Sequence, residues 1–145
     1  MFVLALIGLG CRLGLPPITN GYFVEHVEMS GYEFGFNRML KGSLLRELSY
    51  KEAIGNEPLQ IECFVVKENL LSTNQKGQLW ELIIQIQVTK ANGQMMSVKD
   101  KERFLFRFPQ SIAFADARHK AYQKVSDRIA ISIVNWVLFA PKEKD

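Results

Sequence analysis

Three stretches of the chain alternate between hydrophobic and polar residues, a pattern typical of half-buried β-strands, and a short earlier run is rich in β-prone residues. Residues 22–29 predict a first strand, residues 59–71 a second, and residues 79–90 and 94–108 a third and a fourth. The last two are joined by Asn92-Gly93, the strongest short signal for a β-hairpin. The pattern therefore predicts one early strand followed by three consecutive antiparallel strands.

Two other stretches repeat their hydrophobic residues every three or four positions, as amphipathic helices do. The first covers residues 36–48, and the second covers residues 113–139 and ends before Pro141. Gly42 lies inside the first helix, where it costs about 1 kcal/mol relative to alanine. Because glycine has no side chain, we expect Gly42 to allow a close approach to the sheet.

This order of elements predicts the fold class and the division of the chain. We expect an α+β fold of order β-α-β-β-β-α: a two-layer sandwich with two helices on one face of a mainly antiparallel four-stranded sheet. The length of 145 residues suits one domain, which we place at residues 22–140. The consecutive prolines Pro16 and Pro17 make residues 11–21 an extended linker, and residues 141–145 form a charged tail.

The chain opens with ten residues, 1–10, that carry no charge. They are too few to span a bilayer as a helix, which needs about 20 residues, but they suit the apolar core of a secretory signal. Gly8 and Gly10 precede Cys11, as small residues precede the lipidated cysteine of bacterial lipoproteins. We therefore expect a signal segment over residues 1–10 and lipidation, including palmitate, at Cys11. The alternative is a buried N-terminal strand or helix with Cys11 in the core.

Composition and motifs argue against catalysis and metal binding. Two cysteines are too few for a cysteine-built zinc site, and Cys63, in mid-strand, is predicted to be a small buried hydrophobe. His26 and His119 are far apart and lack metal-ligand spacing. A net charge of +3 is low for a nucleic-acid-binding protein. We therefore expect no enzyme activity, no cofactor, no metal and no nucleic-acid partner.

In the predicted fourth strand, the cations and the phenylalanines fall on opposite faces. Lys99, Lys101, Arg103 and Arg107 share the parity opposite to the phenylalanines at 104, 106 and 108. Residues on one face lie about 6.6 Å apart, so these cations form a row about 26 Å long. With Leu105 among them, they suit a ligand that is anionic and partly apolar. The alternative is an edge strand that lysine and arginine protect against aggregation.

Asp100 and Glu102 occupy the other parity of the same strand. Two carboxylates two residues apart could together hold a cation. Because they alternate with lysine and arginine near a hairpin, we expect them to belong to a solvated ladder of charges instead.

Taken together, these features resemble the LptE family of outer-membrane lipoproteins that act in lipopolysaccharide assembly. The resemblance lies in the order and length of the elements: a lipobox-like Cys11, an early strand, the helix FNRMLKGSLLREL, a meander of long strands and a closing helix containing DARHKAYQKVSDRIAISIV. It covers most of residues 11–139. It implies a lipid anchor at the periplasmic side of the outer membrane, an LptD β-barrel partner and binding of lipopolysaccharide. The nearest matches to the family's basic binding residues are Lys99, Lys101, Arg103 and Arg107.

Two other interpretations remain open at this point. The first is an auxiliary lipoprotein of a lipid-trafficking ABC transport system, with a similar signal and an α+β body. The second is a small soluble enzyme whose N-terminus is merely apolar.

Overall fold

A computed structural model of the protein describes residues 21–29, 35–108 and 111–139. These residues form strand β1 (Tyr22–Met29), helix α1 (Phe36–Tyr50), strands β2 (Glu57–Asn74), β3 (Gly77–Lys90) and β4 (Met95–Arg107), and helix α2 (Ser111–Phe139). The predicted elements occur in the predicted order. The predicted signal segment, Cys11 and the charged tail lie outside the described residues.

The four strands lie side by side in the order β1-β2-β3-β4. β1 pairs with β2 in parallel, and α1 provides the crossover between them, whereas the β2–β3 and β3–β4 pairs are antiparallel. The turn between β3 and β4 has a φ of 88° at Gly93, a conformation that glycine adopts without steric cost. The predicted α+β sandwich, with a mainly antiparallel sheet, is confirmed.

Both helices pack on one face of the sheet and enclose the hydrophobic core with it. Every second residue along the strands points into this layer, and one stripe of each helix meets it. The fully buried residues include Leu59, Ile84, Ile86 and Val88 of the sheet and Leu40, Leu44, Leu48, Val125, Ile129 and Ile133 of the helices. The opposite face of the sheet is uncovered in the described part of the chain.

β2 differs from the uninterrupted alternation that its sequence suggests. Its pairing with β3 shifts between Cys63 and Val65, and again between Leu70 and Ser72. After the first shift, Val66 lies opposite the buried Ile84 and packs against the core. Such bulges insert an extra residue and re-aim the side chains that follow. Cys63 itself is buried, as predicted.

Gly42 does not contact the sheet, so that expectation is wrong. A Cβ atom added at Gly42 would have no atom within 4 Å, because the residue lies on the exposed side of α1. The neighbouring residue, Ser43, is the one that faces α2. Its hydroxyl donates a hydrogen bond to Asp127 Oδ1 (2.8 Å) and accepts one from Gln123 Nε2 (3.2 Å).

An aromatic cluster closes the end of the sandwich where β3 begins and β4 ends. Trp80 stacks on Phe104 with a centroid distance of 6.4 Å, and Phe114 of α2 contacts both rings at 5.7 and 5.9 Å. Phe106 contacts Phe114 at 5.2 Å. Pairs of this kind are each worth about 1 kcal/mol beyond the area that they bury. The cluster therefore fixes the start of α2 to this end of the sheet.

Candidate ligand-binding face

The four cations proposed from sequence lie on the uncovered face of the sheet. Lys99, Lys101, Arg103 and Arg107 are exposed, whereas the alternate residues of β4 face the helices. Leu105, within the same row, is 52% exposed. These five residues are called the basic row below. Since β4 is an edge strand of the described sheet, its position suits both ligand binding and protection of the edge.

The carboxylates of β4 do not neutralise the basic row, because they point to the helix side. The guanidinium of Arg128 in α2 donates hydrogen bonds to Asp100 Oδ2 and to Glu102 Oε2, both at 2.7 Å. It also donates one to the backbone oxygen of Lys101 at 2.9 Å. The expectation of a solvated charge ladder is therefore wrong for Asp100 and Glu102, whose side chains are only 26% and 20% exposed.

Arg128 is the residue of this region that sequence reasoning missed. Its hydrogen bond to Asp100 is the largest cause that raises its pKa above the ordinary value. Partial burial opposes this effect, and the hydrogen bond to Glu102 adds to it. Lys124, one helical turn earlier, adds a cation 3.7 Å from Glu102. The carboxylates on the helix-facing side of β4 are thus bound by α2, and the cations on the opposite side of the strand are left to solvent.

Residues of the neighbouring strands β3 and β2 change the net charge around the basic row. Arg103 lies opposite Glu81 on β3, with 3.4 Å between Nε and Oε2, so its charge is partly balanced. Lys101 lies opposite Ile83, which in turn pairs with the exposed Lys67 on β2. Residues directly opposite one another share a face of the sheet. Lys67 therefore widens the positive surface across three strands.

A groove opens at one end of the basic row, beside the β2–β3 hairpin. Its volume is about 640 Å³. Arg107 and Lys76 supply its positive charge, and Leu79, Leu105 and Phe108 supply its apolar surface. The combination offers hydrogen-bond donors to an anionic group and contact area to a hydrocarbon or sugar ring.

The other side of the uncovered face is acidic. Glu25 and Glu28 of β1 and Glu62 of β2 line a second groove of about 330 Å³. The uncovered face is therefore divided, with carboxylates towards β1 and cations towards β4. An anionic ligand is attracted to one half and repelled by the other, which limits its binding to the basic row and the adjoining groove.

Neither a metal centre nor a membrane-spanning helix is found among the described residues. No group of three or more histidine, cysteine or acidic residues there has a geometry that could hold a metal ion. His119 is exposed on α2, and the side chain of His26 lies outside the described ones. No helix in the described ranges is long and apolar enough to cross a bilayer.

The fold is similar to solved structures of bacterial proteins, some of which are named lipoproteins. A minor lipoprotein from Acinetobacter baumannii is 12% identical, with 83% of this chain and 92% of that chain covered at a TM-score of 0.53. A Xanthomonas campestris protein of the DUF330 family is 11% identical, with 79% and 83% covered at 0.54. Rare lipoprotein B from Shewanella oneidensis is 11% identical, with 82% and 91% covered at 0.47.

At these identities the likeness to the first two structures, whose TM-scores exceed 0.5, shows the fold alone. No family model matches the chain, and no curated protein matches it significantly. Two of these three structures are named lipoproteins, and the three names do not single out the LptE family.

Proposed function

We propose that this protein is a non-enzymatic envelope lipoprotein, anchored through Cys11 at the periplasmic side of the outer membrane. In this proposal it partners an LptD β-barrel in lipopolysaccharide transport and assembly, and it binds lipopolysaccharide through Lys99, Lys101, Arg103 and Arg107. The observation that carries the proposal is the basic row itself, which is exposed and runs into a groove with apolar walls. The lipoprotein fold of the structural neighbours supports the anchor.

The chemistry of the basic row suits such a ligand. Lipopolysaccharide presents phosphate groups next to sugars and acyl chains. Arginine and lysine form charge-assisted hydrogen bonds to phosphate, and their aliphatic stems cover apolar surface. Successive cations about 6.6 Å apart can meet separate anionic groups of one extended molecule. Leu105 and Phe108 then contact its apolar part.

Reversal of two charges tests the binding surface. Lys101→Glu with Arg107→Glu is preferred, because a glutamate at position 103 would face Glu81 and destabilise the sheet. We expect affinity for purified lipopolysaccharide to fall about tenfold or more, since each charged contact is worth about 1 kcal/mol or more. The matched control is Arg38→Glu with Lys41→Glu on the exposed side of α1, which changes the net charge equally. Equal binding by both doubles would favour edge protection.

The anchor and the partner need a separate experiment in cells. Cys11→Ala is expected to abolish labelling by palmitate and to allow 0.5 M salt to release the protein from the membrane fraction. Membrane association that resists 0.5 M salt without acylation would contradict the lipoprotein proposal. Purification of the lipidated protein is expected to bring down an outer-membrane β-barrel of the LptD type. Recovery of an ABC transporter instead would favour the auxiliary-lipoprotein alternative.

A further inference from the structure

The closed end of the β2–β3 hairpin carries exposed apolar side chains and positive charge. The residues concerned, called the tip surface below, are Leu70, Leu71, Lys76, Leu105, Arg107 and Phe108. Its four hydrophobic side chains are between 43% and 52% exposed. Monomeric proteins seldom gather exposed apolar residues in this way without a binding role.

The apolar side chains lie on both faces of the sheet at this end. Leu70 lies opposite Trp80, whose ring packs on the helix side against Phe104. Leu105 lies opposite Leu79 on the uncovered side. A protein partner with a flat surface would cover only one of these faces, whereas a lipid bilayer into which the tip inserts would contact both.

The charge of the tip surface is positive without an acidic counterpart. Residues 69–80 and 103–108 contain three cations and no aspartate or glutamate. The nearest carboxylates are occupied: Glu68 accepts a hydrogen bond from Arg118 at 2.7 Å, and Glu81 faces Arg103. A second copy of the chain placed symmetrically against this surface would therefore bring like charges together.

The backbone of the tip is held in place. The side-chain oxygen of Asn74 accepts hydrogen bonds from the backbone N–H groups of Lys76 (2.8 Å) and Gly77 (3.1 Å). The N–H of Phe108 donates to the backbone oxygen of Lys76 at 3.0 Å, which ties the end of β4 to the turn. Little ordering is therefore needed when the tip binds.

We propose that the tip surface docks onto an anionic lipid bilayer, with its leucines and Phe108 among the upper acyl chains and with Lys76 and Arg107 at the headgroups. Apolar side chains flanked by cations are the composition of segments that lie in the membrane interface. Each cation near an anionic surface adds to the attraction, and the attraction is screened by salt. This docking does not depend on the lipid anchor, and it shares Leu105, Arg107 and Phe108 with the proposed lipopolysaccharide-binding surface.

Vesicle co-sedimentation tests the proposal with the full chain carrying Cys11→Ala, which removes any lipid anchor. We expect binding to vesicles containing phosphatidylglycerol and little binding to pure phosphatidylcholine. Binding to the anionic vesicles is expected to weaken at 0.5 M salt, because salt screens the attraction between surface charges. Leu71→Ser with Phe108→Ser is expected to weaken the partition about tenfold. The matched control is Tyr50→Ser with Met95→Ser, two hydrophobic residues that are 79% and 63% exposed away from the tip.

Three outcomes would overturn the inference. The first is no preference for anionic vesicles, and the second is equal binding by the tip double and the control. The third is concentration-dependent dimerisation that the tip double abolishes, because a second copy would then occupy the surface. If the tip double fails to fold by circular dichroism, Lys76→Glu in the exposed turn replaces it, with the same expected loss. The vesicles contain no lipopolysaccharide, so a negative result leaves the proposed function to its own test.

Discussion

Two buried serines, one on each helix, are expected to respond in opposite ways to replacement by alanine. Ser126 of α2 is fully buried, and its hydroxyl makes no hydrogen bond within the described structure. A buried hydroxyl without a partner costs about 1–3 kcal/mol, and alanine is also the better helix former. Loss of the oxygen's packing contacts offsets part of this gain. We expect Ser126→Ala to raise the free energy of unfolding by about 1 kcal/mol.

Ser43 of α1 is 3% exposed but has three hydrogen-bond partners: Asp127, Gln123 and Arg46. Asp127 keeps its bonds to Arg46 (3.0 Å) and Gln123 (2.9 Å) when the serine is removed. The loss in Ser43→Ala is therefore expected to be moderate, about 1 kcal/mol in the destabilising direction.

Urea denaturation of the full chain with Cys11→Ala measures both effects. The midpoint is expected to rise for Ser126→Ala and to fall for Ser43→Ala, with the slope unchanged in both. The corresponding shifts in melting temperature are about 3 °C. A Ser126→Ala protein that is less stable than its parent would show that the hydroxyl has a stabilising role, and the reasoning from its missing partner would fail.

Two further changes probe the helix α1 surface and the α2–β4 contact. Gly42→Ala is expected to add about 1 kcal/mol to the free energy of unfolding, because its Cβ meets nothing within 4 Å. Gly77→Ala is its control and is expected to destabilise, since the added Cβ would lie 2.1 Å from the backbone oxygen of Phe106. Arg128→Met leaves Asp100 and Glu102 without their guanidinium and is expected to cost about 1 kcal/mol, measured in urea. Lys120→Met, which removes an exposed pair with Asp116, is expected to change little; equal losses in both variants would contradict the special position of Arg128.

The elements themselves follow from local sequence signals. The first strand occupies residues 22–29 as predicted, and the turn at Asn92-Gly93 joins β3 to β4. Alternation in β4 places its cations on one face because the strand has no irregularity in its pairing with β3. Period-two and period-three-to-four patterns therefore suffice where pairing is regular.

Features that depend on distant residues could not be predicted in this way. The bulge after Cys63 is set by the register against β3, not by the composition of β2. Asp100 and Glu102 are held by Arg128, which is more than 25 residues away in sequence. Nothing local distinguishes these carboxylates from a solvated charge ladder. The expectation for Gly42 is wrong for a different reason: Gly42 lies opposite the apolar stripe of α1, so the helical period itself places it on the exposed side.

The same limit applies to the tip surface. The exposure of Leu105 follows from alternation, because it shares the parity of the cations of β4, whereas Leu70 and Leu71 are adjacent hydrophobic residues of β2 that the sequence would lead us to expect in the core. Leu70 and Leu71 are exposed where the pairing of β2 with β3 shifts, between Leu70 and Ser72. This shift depends on the register against β3, which the sequence of β2 alone does not show.

Because β1 pairs with β2 in parallel, the chain enters the domain at the end of β2 that is farthest from the β2–β3 turn. Gly21, where the described chain enters, lies beside Glu57 at the start of β2, while Asn74 lies at the far end of that strand. Eighteen residues of strand separate these ends by about 55 Å. The linker proposed over residues 11–21 reaches about 35 Å when extended. A protein held at Cys11 would therefore bring its hairpin to the same membrane only by tilting well over towards the membrane plane; standing upright, it would present the hairpin to whatever faces that membrane.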